Sequence, residues 1–129
     1  MRVARKRKRL TPEHRIQNDI VAKLRSRRCT VFRGNVGKVR TPDGRFFNTG
    51  LPNGFFDLFG FRWQDNQAFF IEVKTSKGRI RPDQKAFHQD LMHRHAIHGI
   101  ARSVDDAMKI VDEGLVGYGF PDVEEKDWY

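Results

Sequence analysis

The chain has 129 residues and a mass of 15.1 kDa, room for one compact domain and little more. Hydrophobic residues make up 38% and charged residues 32%, enough for a single core. No uninterrupted apolar run approaches the ~20 residues of a bilayer span, which excludes a membrane-crossing helix. With 25 Lys and Arg against 16 Asp and Glu, the net charge of +9 points to a polyanionic partner, most simply nucleic acid.

The charge is unevenly placed. Residues 1–10 carry Arg2, Arg5, Lys6, Arg7, Lys8 and Arg9 with no acid. They are expected as a disordered basic arm, because a dense run of like charges repels itself and buries nothing. Residues 112–129 carry six acids against Lys126, and 115–129 is expected as an acidic tail. The middle, 11–111, keeps 18 bases against 10 acids, so the basic character belongs to the folded part, expected as one domain over 11–114. The lone Cys29 cannot form an internal disulfide, and the N-terminus has no apolar leader pattern, so a reducing, cytoplasmic setting is expected.

Thr11-Pro12-Glu13 reads as a helix start, with a hydroxyl at the cap, proline at the first helical position and an acid near the positive dipole end. Ile16, Ile20, Val21 and Leu24 recur at helical spacing and carry this helix to about Arg27. Glu13, Gln17 and Ile20 lie along one edge of its apolar stripe. Thr30–Arg33 is a candidate strand, Thr41-Pro42-Asp43-Gly44 a turn, and Arg45–Asn48 the strand returning from it. Phe55–Phe61 and Ala68–Lys74 are the most apolar stretches and are expected as the central strands. Pro82 opens a second helix with Phe87, Leu91 and Met92 inward and Gly99 just past its end. Ile100–Arg102 is a short strand. Ser103 caps a third helix whose Val104, Ala107, Met108 and Val111 face inward, and Gly114 stops it. The expected order is α-β-β-β-α-β-α, an α/β fold.

Both central strands hold an acid where the pattern asks for a hydrophobe: Asp57 within Phe55–Phe59 and Glu72 within Phe69–Lys74. An ionised carboxylate in such a strand is costly unless something positive meets it. Glu72 and Lys74 point to the same side of their strand, and Val73 offers its main-chain carbonyl. If the two strands pair, Asp57 comes beside Glu72, giving two carboxylates and a carbonyl as hard oxygen ligands, in composition a magnesium site. The alternative for each acid alone is an Asp57 at a solvent-facing bulge and a Glu72 paired with Lys74 or a cross-strand arginine.

Asp57, fourteen intervening residues and then Glu72-Val73-Lys74 resemble the PD-(D/E)XK nuclease signature. The wider context is similar to the VRR-Nuc branch, related to Holliday-junction resolvases. That context comprises the opening helix with Glu13 and Gln17, Phe32–Gly37, Gly50–Leu58, Ile71–Lys74, Gln84, and Ser103–Ala107. One departure is visible, Phe56 standing where the motif's naming proline would be.

The resemblance implies a restriction-endonuclease-like core, a mixed central sheet flanked by helices. It implies Mg²⁺, or Mn²⁺ in its place, held by Asp57, Glu72 and the Val73 carbonyl, with Glu13 completing or buttressing the site. Lys74 would orient or activate the attacking water, and Gln84 would support it. Gln17 rivals Glu13 for the first-helix role, and Glu13 is preferred because a carboxylate ligates Mg²⁺ better than an amide. The implied reaction is phosphodiester hydrolysis in DNA, most simply resolution of four-way junctions, in a bacterial or phage-infected cell. Symmetric cleavage of a junction needs two active sites, so a homodimer is expected. A monomeric flap or nick-directed nuclease would share the same site. From a different class, a non-catalytic basic DNA-binding protein would have no reason to place two acids inside its most apolar strands.

Arg33, Lys38, Arg40 and Arg45, interleaved with Asn35 and Gly37, are expected to contact DNA phosphates, as are Lys77, Arg79, Arg81 and Lys85 beside the active strand. Phe46 or Phe47 would be a wedge at a DNA branch. His88, His93, His95 and His98 lack a completing cysteine or acid nearby and are read as solvated or phosphate-contacting, not as a zinc site.

Overall fold

A computed structural model describes residues 9–34 and 38–129. Most of the expected basic arm, residues 1–8, lies outside the described residues, as do Asn35, Val36 and Gly37.

Thr11 caps the first helix α1 (Pro12–Ser26), its Oγ1 accepting the His14 N–H at 3.1 Å. The apolar stripe of α1 buries Ile20, Val21 and Leu24. Strand β1 (Cys29–Arg33) follows, then a hairpin of β2 (Lys38–Arg40) and β3 (Phe46–Asn48), then β4 (Leu58–Arg62) and β5 (Ala68–Val73). Helix α2 (Pro82–His93), β6 (Ile97–Ala101), α3 (Val104–Glu113) and β7 (Val116–Tyr118) complete the order, with a 3₁₀ turn at Glu125–Asp127. The main sheet runs β1-β4-β5-β6-β7. Its β1-β4 and β4-β5 pairs are antiparallel, and its β5-β6 and β6-β7 pairs are parallel.

The sheet is the middle of three layers. On one face, Ile20, Val21 and Leu24 of α1 and Ala107, Ile110 and Val111 of α3 pack on Val31, Leu58, Phe69, Ile71 and Val73. On the other face, Leu91 of α2 joins Phe56, Ile100 and Phe120, with Phe70 and Phe87 packed against them. β6 is buried along its whole length, as expected of a central parallel strand covered on both sides.

The Thr41–Gly44 turn closes a hairpin in which β3 returns onto β2 as a separate two-stranded sheet, the Thr41 N–H donating to Arg45 O at 2.7 Å, while β1 pairs with β4. Gly60 permits the β1-β4 pairing, since a Cβ there would stand 1.8 Å from Thr30 O. Two expectations are corrected. Gly99 does not end α2. The helix stops at His93, and Gly99 lies inside β6, where a Cβ would stand 2.7 Å from Tyr118 O. Residues 115–129 are not a loose tail. They supply β7 and bury Leu115, Val116 and Phe120, apolar positions hidden among the acids that dominate the segment's composition.

Among the described residues no helix is long and apolar enough to cross a membrane.

Candidate active site

The register places Leu58 opposite Ile71, so Asp57, one residue before β4, comes level with Glu72 near the end of β5. The two acids are stitched together through backbone amides. The Val73 N–H donates to Asp57 Oδ2 at 2.9 Å, and the Asp57 N–H donates to Glu72 Oε1 at 3.1 Å. The other carboxylate oxygen, Glu72 Oε2, accepts from Gln84 Nε2 at 2.8 Å and stands 3.3 Å from Lys74 Nζ. Glu13, in the first turn of α1, brings a carboxylate oxygen to the same place. Oxygens of Glu13, Asp57 and Glu72 all lie within 4.8 Å of one another.

Glu72 is 2% exposed and Lys74 8%, so this is charge held inside the fold. Burial, and then the neighbouring Asp57 charge, push the Glu72 carboxyl up to about 8, with Lys74 pulling it down. The donor set fits a divalent cation of the Mg²⁺ class. It consists of hard oxygens converging from three elements, with more negative charge than one lysine offsets.

Of the residues read from the sequence as candidate catalytic groups, Glu13, Asp57, Glu72, Lys74 and Gln84 come together. Gln84 meets the buried glutamate and the Arg81 backbone N–H (3.1 Å). Val73 touches the site through its N–H, which holds Asp57. Gln17 is engaged elsewhere: its Oε1 accepts from Arg33, whose guanidinium also donates to Asn18 Oδ1 at 2.8 Å.

Arg33, Arg40, Arg45, Lys77, Arg79, Arg81 and Lys85 are exposed. The side chains of Lys38 and Phe47 lie outside the described residues. Phe46 is 64% exposed, with Arg40 5.9 Å from its ring centre. The hairpin bearing these residues leaves the sheet beside the acids, where the Gly34 N–H donates to Asp57 O at 2.7 Å.

The histidine reading is corrected for two of the four. His93 and His95 are exposed, but His88 and His98 are buried and bonded to each other, His88 Nδ1 to His98 Nε2 at 2.7 Å. Asp122, distant in sequence, lies 3.0 Å from His88 Nε2, and Phe120 stacks on the His88 ring at 3.7 Å. His88 follows Gln84 by one helical turn on the buried side of α2, a spacing that marked it as inward-facing.

A mixed sheet with helices on both faces and an acidic cluster where two central strands end defines the restriction-endonuclease-like class of nuclease folds. The VRR-NUC domain family matches residues 11–105, most of the chain, and the protein belongs to that family, which makes it a nuclease. A solved structure described as a VRR_NUC domain superposes with a TM-score of 0.59 at 20% identity. The match covers 80% of this chain and 97% of that one, and shows the shared fold. No curated protein matches the chain.

Proposed function

We propose that the protein is a metal-dependent DNA endonuclease acting on branched DNA, four-way junctions first, as a homodimer. The observation that carries this reading is the convergence of Glu13, Asp57 and Glu72 with Lys74 in a domain whose remaining charge is strongly basic. Three carboxylates alone would repel a phosphodiester. A cation held by Glu13, Asp57, Glu72 and the Val73 carbonyl would bind the phosphate oxygen and lower the pKa of the attacking water. Gln84 and the Asp57 N–H fix the Glu72 carboxylate from both oxygens, so its direction is set before substrate arrives. Lys74, anchored beside Glu72, supplies a positive donor to the water or to the charge developing on the phosphate.

Arg33, Lys38, Arg40 and Arg45 on one side and Lys77, Arg79, Arg81 and Lys85 on the other would neutralise the DNA backbone flanking the cut. Cleavage is expected to leave 5′-phosphate and 3′-hydroxyl ends. The homodimer follows from the need for two cuts in a junction when the described residues of each chain hold one acidic cluster.

The test is a panel of labelled substrates of one sequence, offered with Mg²⁺ as four-way junction, flap and linear duplex, alongside light scattering of the protein with and without junction. Paired symmetric cuts in the junction by a dimer support the proposal. A monomer that prefers the flap replaces junction resolution with flap cleavage, and no cutting of any substrate removes the catalytic reading.

A further inference from the structure

Lys74 is the last residue held by β5 hydrogen bonding, its N–H donating to Ala101 O at 3.0 Å, and the chain then turns sharply. The Gly78 N–H donates back to Thr75 O at 3.0 Å, closing a four-residue turn. This turn lies on the aliphatic stem of the lysine. A Cβ on Gly78 would stand 3.1 Å from Lys74 Cβ and 3.2 Å from Lys74 Cδ. The carbonyls of Thr75 and Gly78 both accept from one atom, Arg102 Nη1, the second at 3.0 Å.

Arg102 is itself fixed from behind. Its backbone N–H donates to Asp106 Oδ2 at 2.9 Å, and Asp106 Oδ1 accepts from the Tyr118 hydroxyl at 2.7 Å. Burial and Asp106 push the Tyr118 hydroxyl up to about 12, so it stays a donor through the neutral range. A chain of contacts thus runs from β7 through α3 and the end of β6 to the turn covering Lys74.

We propose that Arg102 is a positioning residue for Lys74: its guanidinium ties down the Thr75–Gly78 turn, and the turn confines the lysine's stem and aims its amine at the acidic cluster. Arg102 is one of the chain's many bases, yet its Nη1 is committed to protein carbonyls. Its contribution is to geometry, in contrast to the exposed Lys77, Arg79 and Arg81 of the same loop. A guanidinium suits the task because its planar fork presents several donors in fixed directions, whereas a lysine ammonium is a compact charge on a flexible stem. The lysine part of the proposal rests on the nuclease reading; the turn part does not.

The experiment uses the full chain carrying Arg102→Gln or Gly78→Ala, the first releasing the turn and the second pressing a methyl group onto Lys74. Amide hydrogen exchange without DNA reads the turn. In Arg102→Gln the Gly78 amide is expected to exchange at least ~10-fold faster while the β4 and β5 amides keep their protection. Unchanged exchange at Gly78 overturns the proposal.

Mg²⁺-supported cleavage reads the lysine. Both variants are expected to lose roughly 10-fold or more in kcat with KM for DNA within about 2-fold of wild type, because a small misplacement of a catalytic group slows the chemical step. Added guanidinium is expected to restore part of the kcat of Arg102→Ala. A loosened turn with unchanged kcat, or a loss confined to KM, overturns the link to Lys74. A wild type that cuts no DNA removes the nuclease reading and the lysine link together, and the exchange result still decides the turn.

Discussion

Gln84 donates its side-chain amide to Glu72 Oε2 at 2.8 Å, and its Oε1 accepts the Arg81 N–H at 3.1 Å, so one buried residue both caps α2 and fixes a buried carboxylate. Gln84→Ala leaves Glu72 one donor short inside the fold. It is expected to cost about 1–2 kcal/mol in denaturant unfolding and roughly 10–100-fold in divalent-cation affinity or turnover. Gln84→Glu, which adds a fourth carboxylate to Glu13, Asp57 and Glu72, is expected to be worse than alanine in the absence of metal.

Cation binding has its own readout in heat stability. Millimolar Mg²⁺ or Ca²⁺ is expected to raise the melting temperature of the wild type, because a ligand that binds only the folded state stabilises it by mass action. Glu72→Gln, with one anionic ligand removed, is expected to show a much smaller rise. Equal shifts in the two proteins would place cation binding elsewhere.

His98 gives the protein an acid-side sensitivity independent of the acidic cluster. Burial drives its pKa down to about 4, with the Ala96 carbonyl pulling upward. A histidine depressed in the folded state protonates first in the unfolded chain. Its contribution is therefore fully present above about pH 6.5 and is lost as pH falls from there toward 4. The loss is on the order of 2–3 kcal/mol over that window, read from chemical denaturation at a series of pH values. His98→Gln is expected to flatten this part of the profile.

Gly60→Ala tests the pairing that holds β1 against β4. Its methyl group would meet Thr30 O at 1.8 Å, a clash with backbone that no rotamer relieves. The expected cost is roughly 2–4 kcal/mol in denaturant unfolding, with the β1 amides losing exchange protection first.

How far the sequence disclosed this architecture depended on the range of the contact. Thr11, Pro82 and Ser103 announced their helices because capping is local, and the acids at Asp57 and Glu72 stood out because each broke an apolar strand. The family resemblance added Glu13 and Gln84, which no local pattern connected to those strands. The β1-β4 pairing stayed hidden because a neighbouring turn offered a closer partner for Arg45–Asn48, and hairpin signals do not register a strand that waits for a later one. The His88–His98–Asp122 cluster and the Arg102 tie are contacts between distant elements, and residues 115–129 read as a tail because acids outnumber the buried Leu115, Val116 and Phe120.

The most direct test of the central claim is the rate at which wild type, Asp57→Asn and Glu72→Gln cut a labelled four-way DNA junction in Mg²⁺, with junction binding measured in Ca²⁺. The acidic cluster as catalytic centre requires both variants to fall by at least ~100-fold in turnover while still binding the junction. Variants that cut within about 2-fold of wild type would contradict it.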